Sequence, residues 1–421
     1  MRPVNASVRP GRVVPIALAL LLAGASPGLS QQQGDTARFE IYGFAQTDMI
    51  YDFKQVDPLW FDVLRPTKLP AFDQQFGRDH NFWGSVRQSR FGVRTSVPTR
   101  WGPMTTLWEW ELFGVGIDAG QTTFRARHMY GELAQFGAGQ TWSPFMDIDV
   151  FPNSLEYWGP NGMVFFRNVQ FRWMPIKGDT RLTFALERPG ATADQGNFAD
   201  RIELENVRGR FPIPDLSGEY RYGTSWGYVE LAGIVRYMKI DDLVADSIDL
   251  NRSIVGGGAT LSSNIRFNRD LDVVRLQLTY GKAIENYMND APVDVAVDEN
   301  FGDPTRPIRG VGLPVFGLVA FLDHRWNDRF TSAIGYSMLD IDNSSGQRDD
   351  AFNRGHYALA NLLYYPVKDL MVGGEFQWGR RDNFRDDFDV NDYRLQFSAR
   401  YNFAFLSERR VPTSRDREKG P

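Results

Sequence analysis

The stretch that most constrains this chain is DYRLQFSARYNFAF, residues 392 to 405. Tyr393, Leu395, Phe397, Ala399, Tyr401, Phe403 and Phe405 are apolar or aromatic, while Arg394, Gln396, Ser398, Arg400 and Asn402 between them are polar. A period of two puts these sets on opposite faces of a β-strand, and a helix with a period of 3.6 would mix them. A strand needs roughly ten residues to cross a bilayer, and this alternation is long enough. A greasy face opposite a wet face suits a wall with lipid outside and water inside. Backbone groups in hydrocarbon must all be paired, so such a sheet has to close on itself.

The same alternation recurs in about sixteen segments, beginning at 39–51, 84–97, 104–116 and 122–134 and ending at 355–365, 370–380 and 392–405. No convincing helical period follows residue 30. Short connections rich in turn residues (98–103, 175–179, 223–225, 326–328, 366–369) alternate with long polar ones (52–83, 144–163, 189–216, 241–251, 287–312, 342–354). Two populations of loop sorted to two rims predict an all-β transmembrane antiparallel barrel with short periplasmic turns and long extracellular loops. A soluble β-sandwich or propeller also alternates, but it has no reason to sort its loops or to set so many arginines opposite a core face. Trp83, Trp101, Trp173, Tyr364, Trp378 and Phe405, near predicted strand ends, fit interfacial aromatic girdles.

VVPIALALLLAG at 13–24 follows Arg2, Arg9 and Arg12 and precedes small residues, which reads as a signal peptide over 1–30 cleaved after Ala25 or Ser30. The expected organisation is then a linker at 31–38, a barrel at 39–405 and a polar tail at 406–421. The absence of cysteine excludes disulfides and thiol chemistry. The net charge of −5, roughly −8 without the three leading arginines, gives nucleic-acid binding no support. Gly114, Gly116 and Gly120 imitate a nucleotide loop, but no helix follows them. His80, His128, His324 and His356 lack metal-ligand spacing, and RDDFDVND at 385–392 reads as a solvated loop, so neither metal nor cofactor nor catalysis is expected.

Seven of the 47 basic residues are lysine, leaving 40 arginines, so where the guanidinium groups point matters. With Phe91, Val93 and Val97 outward, Arg90 and Arg94 face in; with Trp108, Trp110 and Leu112 outward, Glu109 and Glu111 face in. With Phe124, Ala126 and Tyr130 outward, Arg125 and Arg127 face in, as do Arg172 and Arg236 on later strands. Arg90, Glu111 and Arg125 are expected at one height. These residues either attract anions into a lumen or neutralise one another as cross-strand pairs. The connection at 144–163 lies where a loop folded into the barrel would narrow it, and Asp147, Asp149, Glu156 and Tyr157 would then oppose the arginines across a transverse field. The alternative is an ordinary surface loop. His128 falls on the outward phase, which points either to a protomer contact near Gly43 and Ala45 or to a shifted register.

VKDLMVGGEFQWGRRDNF (367–384), RLQFSARYNF (394–403), GELAQFGAGQTWSPFMD (131–147) and IYGFAQTDMIYDF (41–53) resemble the DcaP-like porins of Gram-negative outer membranes. The resemblance implies a trimeric barrel of sixteen strands, surrounded by outer-membrane lipid and lipopolysaccharide, that admits small organic anions such as dicarboxylates and aromatic acids. Some members of that family carry a long helical N-terminal extension, and here only QQQGDTAR precedes the first strand. Two alternatives remain, a general porin without preference and a non-conducting barrel whose loops bind partners.

Overall fold

Residues 36–410, apart from Ala245, are described by the computed structural model. Among them sixteen wall strands run in chain order: β1 (Thr36–Asp52), β2 (Asn81–Ser85 continued by Arg90–Thr99), β3 (Gly102–Phe113), β4 (Thr122–Leu133), β5 (Phe136–Trp142), β6 (Arg167–Ile176), β7 (Arg181–Glu187), β8 (Val207–Arg210 continued by Asp215–Thr224), β9 (Gly227–Asp242), β10 (Arg252–Phe267), β11 (Asp272–Lys282), β12 (Pro314–Arg325), β13 (Phe330–Ile341), β14 (Phe352–Val367), β15 (Leu370–Asn383) and β16 (Asp389–Arg410). Each pairs antiparallel with the next, and β16 returns to β1 from Thr36↔Arg410 to Asp52↔Arg394. The sheet is therefore a closed barrel without a free edge around most of its girth.

The last strand behaves as its alternation requires. Tyr393, Leu395, Phe397, Tyr401, Phe403 and Phe405 are exposed on the outside, whereas Arg394, Gln396 and Ser398 are at most 5% exposed on the inside. The strand does not stop at Phe405: residues 406–410 keep pairing with β1, and Arg38 meets Glu408 at 3.0 Å. The first strand likewise starts at Thr36, inside the expected linker. The signal segment and residues 411–421 of the expected tail lie outside the described residues. β3 ends at Phe113, earlier than the alternation indicated, because the chain turns into a single 3-10 turn at Gly116–Asp118.

Two long connections taken as irregular contain a small second sheet, in which Val295–Glu299 pairs with Ile308–Gly312 and, in parallel, with Ala193–Asp194. Chain folded against a barrel wall has lost water as a hydrogen-bond partner, and a local ladder replaces it. The apolar core lies inside the barrel. Leu64, Phe145, Val150, Met163, Val164 and Tyr287 from three inward loops pack on Val319, Phe321, Leu339, Tyr357 and Leu359 of β12 to β14. Gly162 marks the closest approach, since a Cβ there would lie 2.0 Å from the Met338 carbonyl oxygen. The loops thus fill one side of the lumen, and the open space lies along β1 to β6 and β16.

Candidate functional site: an arginine-lined passage

On the open side the register puts Arg90 opposite Glu111 and Glu111 opposite Arg125, at one height as expected. Arg127 binds Glu109 at 2.8 Å and Glu111 at 2.6 Å. Arg90, Arg125 and Arg167 surround the same two carboxylates at 3.5 to 3.8 Å. Arg400 adds a fifth guanidinium; it donates to the Gln46 side-chain oxygen at 2.5 Å and stacks over Phe44, the ring that Arg90 also covers. With Asp48, the carboxylate whose charge Arg400 faces, counted in, five cations stand among three carboxylates and leave a surplus of two positive charges in a low-dielectric wall. Arg90 Nε, Arg125 Nη1 and Arg167 Nη1 are buried with no protein acceptor. Such N–H groups favour an anion that can supply one.

Three cavities follow this wall. The first, about 350 Å³, is lined by Arg65, Arg125, Tyr157, Trp158, Phe165 and Arg167. The second, about 480 Å³, shares Tyr157 and Phe165 with it and adds Phe44, Arg90, Trp142 and Arg400. The third, about 600 Å³ towards the turn end, shares Arg94, Leu107 and Thr141 with the second and adds Arg38 and Arg172. Charged guanidinium groups and aromatic rings therefore alternate along one run of space.

The connection between β5 and β6 does fold inward. Its Asn153 N–H donates to Asp323, Leu155 N–H to Glu375 at 2.8 Å, Gly162 N–H to Ser337 and Val164 N–H to Gln277, all on the far wall. Its acids do not oppose the arginine cluster, however. Asp147 is held by Arg221 at 2.6 Å, Tyr228 and Ser262, and Asp149 also binds Arg221. The Glu156 carboxylate accepts from Leu64 N–H, Gly159 N–H and the Tyr357 hydroxyl. Tyr157 alone of the four reaches the cluster, donating to Glu111 at 2.5 Å. The expected transverse field of facing acids is replaced by neutralised pairs on one side and surplus arginine on the other.

Two other expectations change. Arg127 is a β-bulge residue: Glu109 pairs with His128 but Trp110 pairs with Ala126. The extra residue shifts the phase of β4, so His128 and Tyr130 point inward and are buried. His128 bonds Thr141 at 2.9 Å and meets the Trp142 ring edge-on, which removes it as an outward contact. Arg236 is 1% exposed and lines no passage; it is locked between Asp215 (3.0 Å) and Asp294 (2.8 Å). Arg236→Met would leave two buried carboxylates uncompensated, a loss of about 3 kcal/mol or more. We expect a lower urea midpoint for unfolding of the barrel with an unchanged reversal potential.

Arg94 pairs loosely with Glu40 at 3.6 Å, and Arg172 makes no salt bridge among the described residues, bonding Gln170 and the Trp142 carbonyl while the Glu187 charge lies further off. Arg167 and Arg400 were not anticipated as site residues. Arg400 stood in the opening alternation as a wet-face residue, whereas Arg167 shares the outward phase of Phe171 and Trp173 in its own segment and reaches Glu111 nonetheless.

A closed barrel of sixteen antiparallel strands, apolar outside and narrowed by an inward loop, defines the class of outer-membrane porins. Residues 23–403 match the family described as DcaP outer membrane protein, so the chain belongs to that family and resides in the outer membrane. Among solved structures it is similar to the outer membrane channel DcaP of Acinetobacter baumannii, at 19% identity over 89% of this chain and 99% of that one, with a TM-score of 0.72. It is also similar in fold to the anion-selective porin from Comamonas acidovorans (11% identity, 87% and 100% of the two chains, TM-score 0.54). A third is the trimer form of OmpT from Vibrio cholerae (11% identity, 87% and 99%, TM-score 0.53). A search of curated proteins returned no sequence match.

Proposed function

We propose that this outer-membrane channel passes small organic anions by diffusion, with dicarboxylates and aromatic acids as the favoured class, and that it works as a homotrimer. The observation that carries the reading is the surplus of Arg90, Arg125, Arg127, Arg167 and Arg400 over Glu109, Glu111 and Asp48. A surplus of fixed positive charge in a narrow passage concentrates anions there. Phe44, Trp142 and Phe165 along the same run offer faces for a planar ring. The trimeric state rests on the trimer form of the OmpT relative and on an outward groove of about 520 Å³ beside Thr47, Gly374 and Ala399, where small side chains permit close approach of another barrel.

The test is single-channel recording from the purified protein in a planar bilayer. We expect conductance steps in threes, a reversal potential of anion sign in a salt gradient, and current blockades on adding phthalate or succinate. A cation sign would sink the anion assignment, equal permeation of neutral solutes of the same size would favour a general porin, and a silent bilayer would mean a non-conducting barrel.

A further inference from the structure

We propose that the outer face of β8 to β11 binds a lipid of the outer leaflet with a net negative phosphate head, the head on a rung of surplus cations and an acyl chain in a groove below it. The rung follows from strand phase. Met238 and Ile240 pack inward, so Lys239 between them points out, and the inward packing of Val207 turns Arg208 and Arg210 out in the same way. Arg210 stands directly opposite Lys239, and Arg208 opposite Asp241. Like charges facing each other across a ladder are destabilising unless an anion joins them. Asp241, which also feels Lys239, is held at both oxygens by Arg210, and that is the one salt bridge of Arg208, Arg210, Lys239 and Lys282 among the described residues. With Glu205, whose carbonyl accepts from Arg208, counted too, four cations stand against two carboxylates.

The height of the rung identifies what faces it. On the outside of β9, Val229, Leu231, Val235 and Tyr237 lead up to Lys239. At a rise of about 3.3 Å per residue and a tilt of about 40°, Lys239 lies about 25 Å above Val229, the full height of the apolar band of such barrels. Lys282 likewise caps β11 above the exposed Tyr280 ring. Both ammonium groups therefore sit at the headgroup level of the outer leaflet. Below them the wall is shallow, because Gly233, Gly257 and Ala259 share the outward phase: Gly233 pairs with Ala259, and Gly257 with both Val235 and Lys282. Val235, Val255 and Tyr280, all exposed, bank this groove. The same level on β13 to β15 carries Arg354 with Asp340 and Arg380 with Asp382 and Asp389, charges that cancel. Every group of the proposed site lies outside the barrel, so it is independent of the passage and of its selectivity.

The absence of native cysteine permits a direct test. Ser253→Cys, exposed directly opposite Lys239, carries a bimane fluorophore, and Ala358→Cys, opposite Tyr336 and Trp378 on β14, serves as the reference. Each labelled barrel is placed in phosphatidylcholine vesicles containing brominated phosphatidic acid or brominated phosphatidylcholine, with folding checked by gel migration without heating. We expect quenching at Ser253→Cys to give phosphatidic acid a binding constant roughly tenfold above that of phosphatidylcholine, since each basic group near a membrane surface favours an anionic lipid roughly fivefold. At Ala358→Cys the two lipids should quench equally. Adding Lys239→Gln and Lys282→Gln should bring the ratio at Ser253→Cys close to one while the reversal potential stays unchanged. A ratio near one before those substitutions, a preference equal at both labels, or a preference that survives the substitutions overturns the proposal. So does a preference that inorganic phosphate abolishes, which would assign the rung to free phosphate, and so does quenching by neither lipid, which would put a protein partner on this face.

Discussion

Replacing Arg90 and Arg400 together by glutamine is expected to cut the anion-over-cation permeability ratio by roughly a hundredfold, since each charge removed at roughly 6 Å from a passing ion, at an effective dielectric constant of about 80, costs an anion about 0.7 kcal/mol and relieves a cation of as much. The two were chosen because they are the cluster members least committed to carboxylates. Arg400 bonds only an amide oxygen, and Arg90 stands 3.6 and 3.8 Å from its acids while Arg127 holds both at hydrogen-bond distance. Glutamine keeps donors over Phe44 and leaves the Arg127 bridge in place. With Asp48 beside Arg400 counted, the balance falls from five cations against three anions to three against three, from +2 to zero. Ionic screening weakens the effect over a Debye length of about 10 Å at 0.1 M salt, but less in a passage walled by protein. The measurement is the reversal potential in a tenfold KCl gradient. An unchanged value would mean that selectivity is set elsewhere, with Arg38, Arg94 and Arg172 at the turn end the next candidates.

The wall was legible because period two is a local property: every strand segment carries its own record of which face meets lipid, and sixteen such records imply closure. Register was legible where turns are short, which is why Arg90, Glu111 and Arg125 were correctly aligned across two hairpins. It failed at Arg127, because one inserted residue leaves no mark in the apolar pattern while turning His128 and Tyr130 to the other face. Partners chosen across the lumen were not legible at all. Asp147 and Arg221 are 74 residues apart, and nothing in either stretch says which wall the loop lies against. Arg236 shows the same limit from the other direction, since its inward phase was right and its burial under residues 190 and 294 depends on loops whose path has no period.

The width of the passage depends on how firmly the inward loop is seated, and here Glu375 is decisive. Its carboxylate accepts from Leu155 N–H (2.8 Å), Glu156 N–H (3.1 Å), Asn361 (2.9 Å) and Gln377 (2.9 Å). Glu375→Leu strips an acceptor from two backbone donors of the loop and two wall amides, and each buried donor left unpaired costs about 1 to 3 kcal/mol. The loop tip is expected to leave the wall, with conductance that rises and becomes noisier; a variant with wild-type conductance and quiet current would show that Asp323, Ser337 and Gln277 suffice to hold it. The same seat predicts a pH dependence. Burial raises the Glu156 carboxyl from its ordinary 4.5 to about 8, against the opposing effect of backbone donors, and Glu375 beside it pushes in the same upward direction. Glu375, Tyr357 and Arg394 are the titratable groups that face it. A carboxyl held protonated contributes fully below its unfolded value, progressively less above it, and nothing once the pH has passed its folded value. Current noise should therefore grow as the pH is raised towards about 8 and level off above it, and Glu156→Gln, which cannot ionise, should flatten the profile; a pH response that survives this substitution would place the titrating group outside the loop.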